Sequence, residues 1–246
     1  MPRYQILIEY VGTEFIGWQI QPKGKSVQKL IQNKISKLLK EKINIVGSGR
    51  TDQGVHAWGQ SAHFDTKKKI INTGSFIKSL NFFLNRKLVS ITEIKKKNLN
   101  FHARYLAKER IYEFIILNRI APPSLDKNKV WHIRKKLDLE IMKKGAKKLL
   151  GTHDFSTFRA SNCYSESPIR TMKKINIKRI NKKVVIQFKS KSFLRNQVRS
   201  MVGCLKYLGE KKWSLKKFTE VFKSKKRTLC APPAPSHGLF LEKVIY

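Results

Sequence analysis

Tyr4-Gln5-Ile6-Leu7-Ile8-Glu9-Tyr10 reads as a β-strand, and Ser26 then caps a stretch in which Val27, Leu30, Ile31, Ile35, Leu38 and Leu39 recur at helical spacing. Working outward from this strand and helix, Ile43–Val46 and Gln60–Asp65 read as further strands, Phe76–Leu84 as a short helix and Leu88–Ile94 as a strand. The first half therefore spells β-α-β-β-α-β. The second half repeats the order, with a strand over Arg110–Leu117, a helix over Leu139–Leu150 behind Asp138, and paired strands over Met172–Ile180 and Lys183–Lys189. Helices over about Asn196–Leu208 and after Ser214 follow, with a closing strand over Leu239–Ile245. The expected fold class is α+β: two tandem split β-α-β domains, ferredoxin-like or RRM-like, with antiparallel sheets, helices on one face and a basic cleft between. The boundary is expected near residues 105–109, dividing an N-terminal domain over 1–106 from a C-terminal domain over 107–246. The Pro-rich stretches Ala121–Pro123 and Ala231–Pro235 read as surface loops or turns.

The chain has 246 residues, of which 41% are hydrophobic and 10% aromatic, enough for a buried core and unlike a natively unfolded chain. No apolar run approaches the roughly 18 to 20 residues that span a bilayer, and MPRYQILIEY lacks the features of a secretory signal. A soluble, cytoplasmic protein is expected. Three cysteines, Cys163, Cys204 and Cys230, show no C-x-x-C spacing, so neither a disulfide framework nor a cysteine zinc site is indicated. Against 16 acidic residues stand 53 Lys and Arg, a formal charge of +37 whose field attracts polyanions, with nucleic acid the expected partner. Lysine runs such as Lys67–Lys69 and Lys95–Lys97 are also ordinary solvated surface. Charge alone does not say whether the protein reads, carries or reacts with its polyanion.

One segment differs from the rest: Gly47-Ser48-Gly49-Arg50-Thr51-Asp52-Gln53-Gly54-Val55-His56-Ala57-Trp58-Gly59-Gln60. Four of the 13 glycines fall between positions 47 and 59, between two expected strands. Such clustering signals unusual torsions or a close approach, because glycine alone lacks a Cβ. The segment holds one of five aspartates, with Arg50 two residues earlier; in extended backbone the two side chains project to one side. A nearby cation keeps a carboxylate ionised, as a nucleophile or base requires. The residues equally fit a hairpin in which Asp52 caps a turn and Arg50 binds a phosphate. The G-x-x-x-x-G-K-[ST] phosphate loop is absent, and His56 and His63 lack an H-E-x-x-H or C-x-x-C companion for zinc.

GSGRTDQGVHAWGQSAHFDT resembles the signature of the TruA family of tRNA pseudouridine synthases, in which a G-x-G-R-T-D-x-G-V-H segment carries the catalytic aspartate. The likeness runs along nearly the whole chain. It takes in Glu9–Gly12, Phe15-x-Gly17-Trp18-Gln19-x-Gln21-Pro22, Ser26-Val27-Gln28, Phe101-His102-Ala103-Arg104 and Arg110-x-Tyr112. It continues through Gly151–Phe155, Phe158-Arg159-Ala160, Phe193-Leu194, Val198-Arg199, Val202-Gly203 and Ala231-Pro232-Pro233.

The resemblance implies isomerisation of uridine to pseudouridine at positions 38, 39 and 40 of the tRNA anticodon stem-loop, by a homodimer using no metal and no organic cofactor. It implies that Asp52 is the catalytic nucleophile or base and that Tyr112 lies against the uracil and helps remove the C5 proton. Arg199 matches the arginine that pairs with the catalytic carboxylate, and Arg50 the candidate that braces the gap left by a flipped nucleotide. The N-terminal domain is thus expected to carry the aspartate loop, and the C-terminal domain to contribute Tyr112 and Arg199 to the cleft. His56, Trp58, Phe155 and Arg159 are further candidates for RNA contact, each of a type that also serves as packing. The chain departs from the family pattern at Val11, Phe114, Asn196 and Gln197, where Asp, Tyr, His and Met are usual. A non-catalytic basic RNA-binding protein is the main alternative. A metal-dependent nuclease would need acidic ligands closer together than Asp52, Asp65 and Asp154.

Overall fold

The structure, a computed structural model, describes residues 1–246. The chain divides into two compact units, one over 1–108 with 240–246, the other over 109–239. The expected division counts 107–246 as the second domain, so the two schemes differ in where the closing strand belongs.

In the first unit, strand β1 (Arg3–Tyr10) is followed by helix α1 (Val27–Leu39), strands β2 (Ile45–Gly47) and β3 (His56–Asp65), helix α2 (Thr73–Leu84) and strand β4 (Val89–Lys97). β1 is central, antiparallel to β3 with Tyr4 opposite Phe64, and antiparallel to β4 with Ile6 opposite Ile94. Alternation buries Tyr4, Ile6, Ile8 and Tyr10 on one face of β1, as the two-residue strand period requires. α1 opens where Ser26 accepts a hydrogen bond from the Lys29 amide at 3.3 Å. Its Val27, Ile31, Ile35 and Leu39 form one buried stripe. Full burial of such a side chain contributes about 1.5–3 kcal/mol, which holds the helix in place. α2 is capped by Asn72 and rests on α1 and β4, burying Leu80 and Leu84.

β3 begins at His56, inside the glycine segment and four residues before the expected Gln60. Two partners extend it: Tyr10 of β1 stands opposite Ala57 after a shift of register, and β10 (Leu239–Ile245), distant in sequence, runs parallel to β3 with Phe240 opposite His56 and Leu241 opposite Ala57. The other half of the edge beside β10 is taken by β2, antiparallel, with Ile45 opposite Phe64. Covering the edge in two pieces satisfies backbone groups that an open strand would leave unpaired.

The second unit contains β5 (Glu109–Asn118), β6 (Trp131–Ile133), α3 (Leu139–Lys147), β7 (Gly151–Asp154), β8 (Ile169–Ile180), β9 (Lys183–Ser190), α4 (Gln197–Gly209) and α5 (Leu215–Lys223). Its strands run in the order β5-β9-β8-β7, all antiparallel, with β6 added parallel to β5. β8 and β9 join through Asn181 at φ 53°, a conformation asparagine tolerates in a two-residue hairpin. α4 buries residues around its whole circumference, among them Val198, Met201, Val202, Cys204, Leu205 and Leu208, as a helix within a core does. β6 and β7, of three and four residues, escape sequence reading because neither is long enough to show alternation. Ala231–Pro235 departs from the expected surface loop, since Ala231 and Ala234 are buried. The fold class is α+β with mostly antiparallel strands and five helices, as expected. No helix is long and apolar enough to cross a membrane.

Candidate active site

Residues 48–55 form the loop between β2 and β3, and its base is clamped by polar side chains shut away from water. The Ser48 amide donates to the Ser61 carbonyl at 2.7 Å and its hydroxyl to Gln60 Oε1 at 2.8 Å. Gln60 returns a bond from Nε2 to the Gly49 carbonyl at 2.9 Å. Gln60 is fully buried, so opening this clamp would strand a buried amide.

The rest of the loop is held by the segment that follows β1. The Trp18 amide donates to the Thr51 carbonyl at 3.1 Å, and the Tyr10 and Thr51 hydroxyls share a hydrogen bond of 2.7 Å. Two glycines make this approach possible. A Cβ on Gly12 would stand 2.0 Å from the Val55 carbonyl oxygen, and one on Gly17, at φ +116°, would stand 2.6 Å from the Thr51 oxygen. The Val55 amide closes a turn onto the Asp52 carbonyl at 3.1 Å, with Gly54 at φ 76° supplying the left-handed torsion of a type II turn. The segment from Arg50 through Asp52 is therefore not a simple extended strand. Asp52 is half-buried on a turn pinned at both flanks, and Arg50 is exposed on the same loop.

A third stretch is drawn in. The Val27 and Gln28 amides donate to the carbonyls of Gly17 and Trp18, and Gln28 Nε2 donates to Ile45 at 2.7 Å. Three sequence-distant segments, 10–18, 26–28 and 47–60, thus converge on the aspartate loop. No periodicity in the sequence foretells that meeting.

Both candidate histidines serve the frame. His56 is buried, its Nδ1 accepts from the Gly12 amide at 2.9 Å, and its ring stacks on Phe240 at 4.7 Å. His63 Nδ1 accepts from the Ala103 amide at 3.1 Å. Burial, reinforced by the charges of Arg3 and His102 and opposed by Asp65, lowers the His63 pKa to about 4. Arg3 forms two hydrogen bonds to the Asp65 carboxylate, each 2.7 Å, and holds its pKa below the usual carboxylate range. No group of three or more His, Cys, Asp or Glu is placed to hold a metal ion. Trp58 is exposed and stacks on Phe240 at 4.3 Å.

In the second unit, Tyr112 lies on β5, largely buried, with its ring edge-on to Phe193 at 5.1 Å. Arg199, in the first turn of α4, is half-buried. Its Nε donates to the Ala234 carbonyl at 2.7 Å and Nη1 to Asn196 Oδ1 at 3.2 Å, while the Ala234 amide donates to the Arg199 carbonyl at 2.9 Å. Helical spacing alone reads Arg199 as a solvated residue; the 231–234 strap, invisible to that spacing, holds its guanidinium. Phe155 is core, and Arg159 Nη2 donates to the Cys163 carbonyl at 2.7 Å. Of the departures from the family pattern, Asn196 precedes α4 at φ 61° and Gln197 is buried, accepting from the Leu194 amide at 2.8 Å. Phe114 packs edge-on to Trp131 at 6.1 Å. The structure thus places Asp52 and Arg50 on one loop of the first unit and Tyr112 and Arg199 in the second.

A family model described as tRNA pseudouridine synthase matches residues 6–106 and 146–246. Asp52, Arg50 and Arg199 lie within the matched stretches, and Tyr112 lies between them. A tRNA pseudouridine synthase A of Pelagibacter ubique (strain HTCC1062) is 66% identical over 246 residues, covering 100% of both chains. One of Paramagnetospirillum magneticum is 42% identical over 246 residues, covering 100% of this chain and 96% of its own. One of Parvibaculum lavamentivorans is 39% identical over 246 residues, covering 100% of both.

Proposed function

The chain belongs to the tRNA pseudouridine synthase family, and from that premise we propose that it isomerises uridine to pseudouridine at positions 38, 39 and 40 of the tRNA anticodon stem-loop. The observation that carries the catalytic assignment is the half-buried Asp52 carboxylate on a turn held by Trp18, Tyr10 and its own closure onto Val55. A carboxylate must meet C1′ or the base within a few tenths of an ångström, and a loop pinned on both flanks supplies that precision.

In the reaction the N-glycosidic bond breaks, the uracil turns, and C5 bonds to C1′. The C5 proton is lost and N1 gains one, so no atom enters or leaves overall. Asp52 acts at the sugar as nucleophile or proton acceptor. Tyr112, a largely buried aromatic hydroxyl, lies against the uracil and assists loss of the C5 proton. Arg199 serves as the cation that keeps Asp52 ionised, its orientation set by Ala234 and Asn196. Arg50, exposed on the catalytic loop, braces the helix from which the nucleotide is flipped. The chemistry calls for no metal or organic cofactor. The enzyme works in the cytoplasm as a homodimer, and the +37 charge supplies salt-sensitive phosphate contacts. A non-catalytic RNA-binding role is not favoured.

The test is incubation of the purified protein, with EDTA and no added cofactor, with an unmodified tRNA transcript bearing uridines at 38 to 40. Pseudouridine is then mapped by chemical labelling and primer extension. Product is expected there, and Asp52→Asn should abolish it while leaving tRNA binding within a few-fold. Tight tRNA binding by the unmutated protein without product at any of the three positions would overturn the assignment.

A further inference from the structure

Cys204 and Cys230 are 26 residues apart in sequence, yet their sulfur atoms stand 3.5 Å apart. Cys204 lies within α4 and is fully buried; Cys230 follows a short turn over Arg227–Leu229 and is half-buried. The third thiol, Cys163, lies on the loop before β8. We propose that Cys204 and Cys230 form a redox-active dithiol which a hydroperoxide converts to a disulfide, stapling α4 to the 230–234 strap and so acting on Arg199.

Geometry supports the bond. A disulfide has sulfurs about 2.05 Å apart, so the pair must close by roughly 1.5 Å.

The two thiols are unequal in the way the chemistry needs. Cys230 is the less buried of the two. Its pKa is lowered by the hydrogen bond from Cys204 and by the charge of Arg227, against the effect of burial. Arg227 Nη1 is buried with no hydrogen-bond partner, a setting that favours an anion beside it. The Cys204 thiol is raised by its hydrogen bond to Cys230 and by burial, which suits a proton-holding resolving partner. The Cys230 thiolate attacks a peroxide oxygen, giving a sulfenic acid and hydroxide. The Cys204 sulfur then displaces the sulfenic oxygen, which leaves as water with the thiol proton. Overall, two thiols and one hydrogen peroxide give one disulfide and two waters. In a reducing compartment the pair rests as the dithiol and returns to it by exchange with a small thiol.

The staple falls where it matters for Arg199. The strap already presses on α4, since a Cβ on Gly203 would stand 2.1 Å from the Pro232 carbonyl oxygen. Four residues beyond Cys230, Ala234 takes the Arg199 Nε bond at 2.7 Å and donates its amide to the Arg199 carbonyl at 2.9 Å. With no slack between strap and helix, drawing Cys230 toward Cys204 shifts the Ala234 carbonyl and with it the guanidinium.

The experiment treats the full-length protein with a small excess of hydrogen peroxide, blocks free thiols with N-ethylmaleimide in denaturant, and maps the peptides by mass. The expected result is a Cys204 peptide joined to a Cys230 peptide, two hydrogens lighter than the pair, split by dithiothreitol, with Cys163 alkylated. In Cys204→Ser the Cys230 sulfenic acid should be trapped by dimedone. Both thiols alkylated after peroxide, or Cys230 trapped by dimedone without cross-link in the unmutated protein, would overturn the proposal. This readout does not depend on the enzymatic assignment. The effect on Arg199 does rest on it: turnover on tRNA should fall several-fold in step with cross-linking, recover with dithiothreitol, and be insensitive to peroxide in Cys230→Ser. Complete cross-linking with unchanged turnover would overturn the coupling to Arg199 alone.

Discussion

The Tyr10 hydroxyl and the Thr51 hydroxyl share a buried hydrogen bond of 2.7 Å that ties the end of the first strand to the residue next to Asp52. A bond between residues 41 apart in sequence makes the loop's position a property of the sheet rather than of the loop itself. Tyr10→Phe removes the phenolic oxygen and leaves the ring. Stability should fall by about 1 kcal/mol, and kcat by roughly tenfold with tRNA affinity unchanged. Denaturant unfolding and single-turnover assays check it; unchanged kcat would show that the loop holds its place without this bond.

Gly17→Ala meets two obstacles at once. Its φ of +116° disfavours any side chain, and the added carbon would stand 2.6 Å from the Thr51 carbonyl oxygen. A stability loss of about 1–3 kcal/mol is expected, with a fall in kcat beyond that of Tyr10→Phe, because the strain is relieved by moving the loop that carries Asp52. A lower unfolding midpoint with wild-type kcat would contradict the coupling.

Arg199→Lys keeps the charge but cannot reproduce the paired bonds from Nε to Ala234 and Nη1 to Asn196. We expect kcat to drop by about ten- to a hundredfold with KM within a few-fold, since an interaction spent on orientation is lost. A rise in KM alone would assign the residue to RNA binding.

His63 gives an acid dependence of stability whose sign follows from burial. Its folded pKa of about 4 lies below the ordinary value of 6.5, so the unfolded chain takes up the proton first as pH falls. The contribution is full above pH 6.5 and is lost progressively down to about pH 4. Its size is about 3 kcal/mol. His63→Asn, which keeps an acceptor for the Ala103 amide, should flatten the unfolding midpoint between pH 4 and 6.5; an unchanged slope would place the titration elsewhere.

Much of the fold is legible along the chain because its signals are local. Val27, Ile31, Ile35 and Leu39 recur with the helical period behind a Ser26 cap, and Tyr4, Ile6, Ile8 and Tyr10 alternate as a strand must. The aspartate loop also announces itself through clustered glycines, of which Gly54 takes a left-handed torsion and Gly47 and Gly59 stand too close to Trp18 and the Glu242 carbonyl for a side chain. Other features rest on partners far away in sequence, where a local pattern carries no information. β3 starts at His56, where β10, from the far end of the chain, pairs with it. Gly12 and Gly17 are legible as glycines, but only the folded unit shows that Val55 and Thr51 occupy the space a side chain would need. Arg199 looks like surface until the Ala234 carbonyl is seen on its Nε, and Cys204 and Cys230 look unrelated until α4 and the strap bring their sulfurs to 3.5 Å. Backbone propensity and hydrophobic period act over a few residues and so are written in the sequence. Hydrogen bonds and packing between segments tens of residues apart exist only once burial has chosen which segments meet.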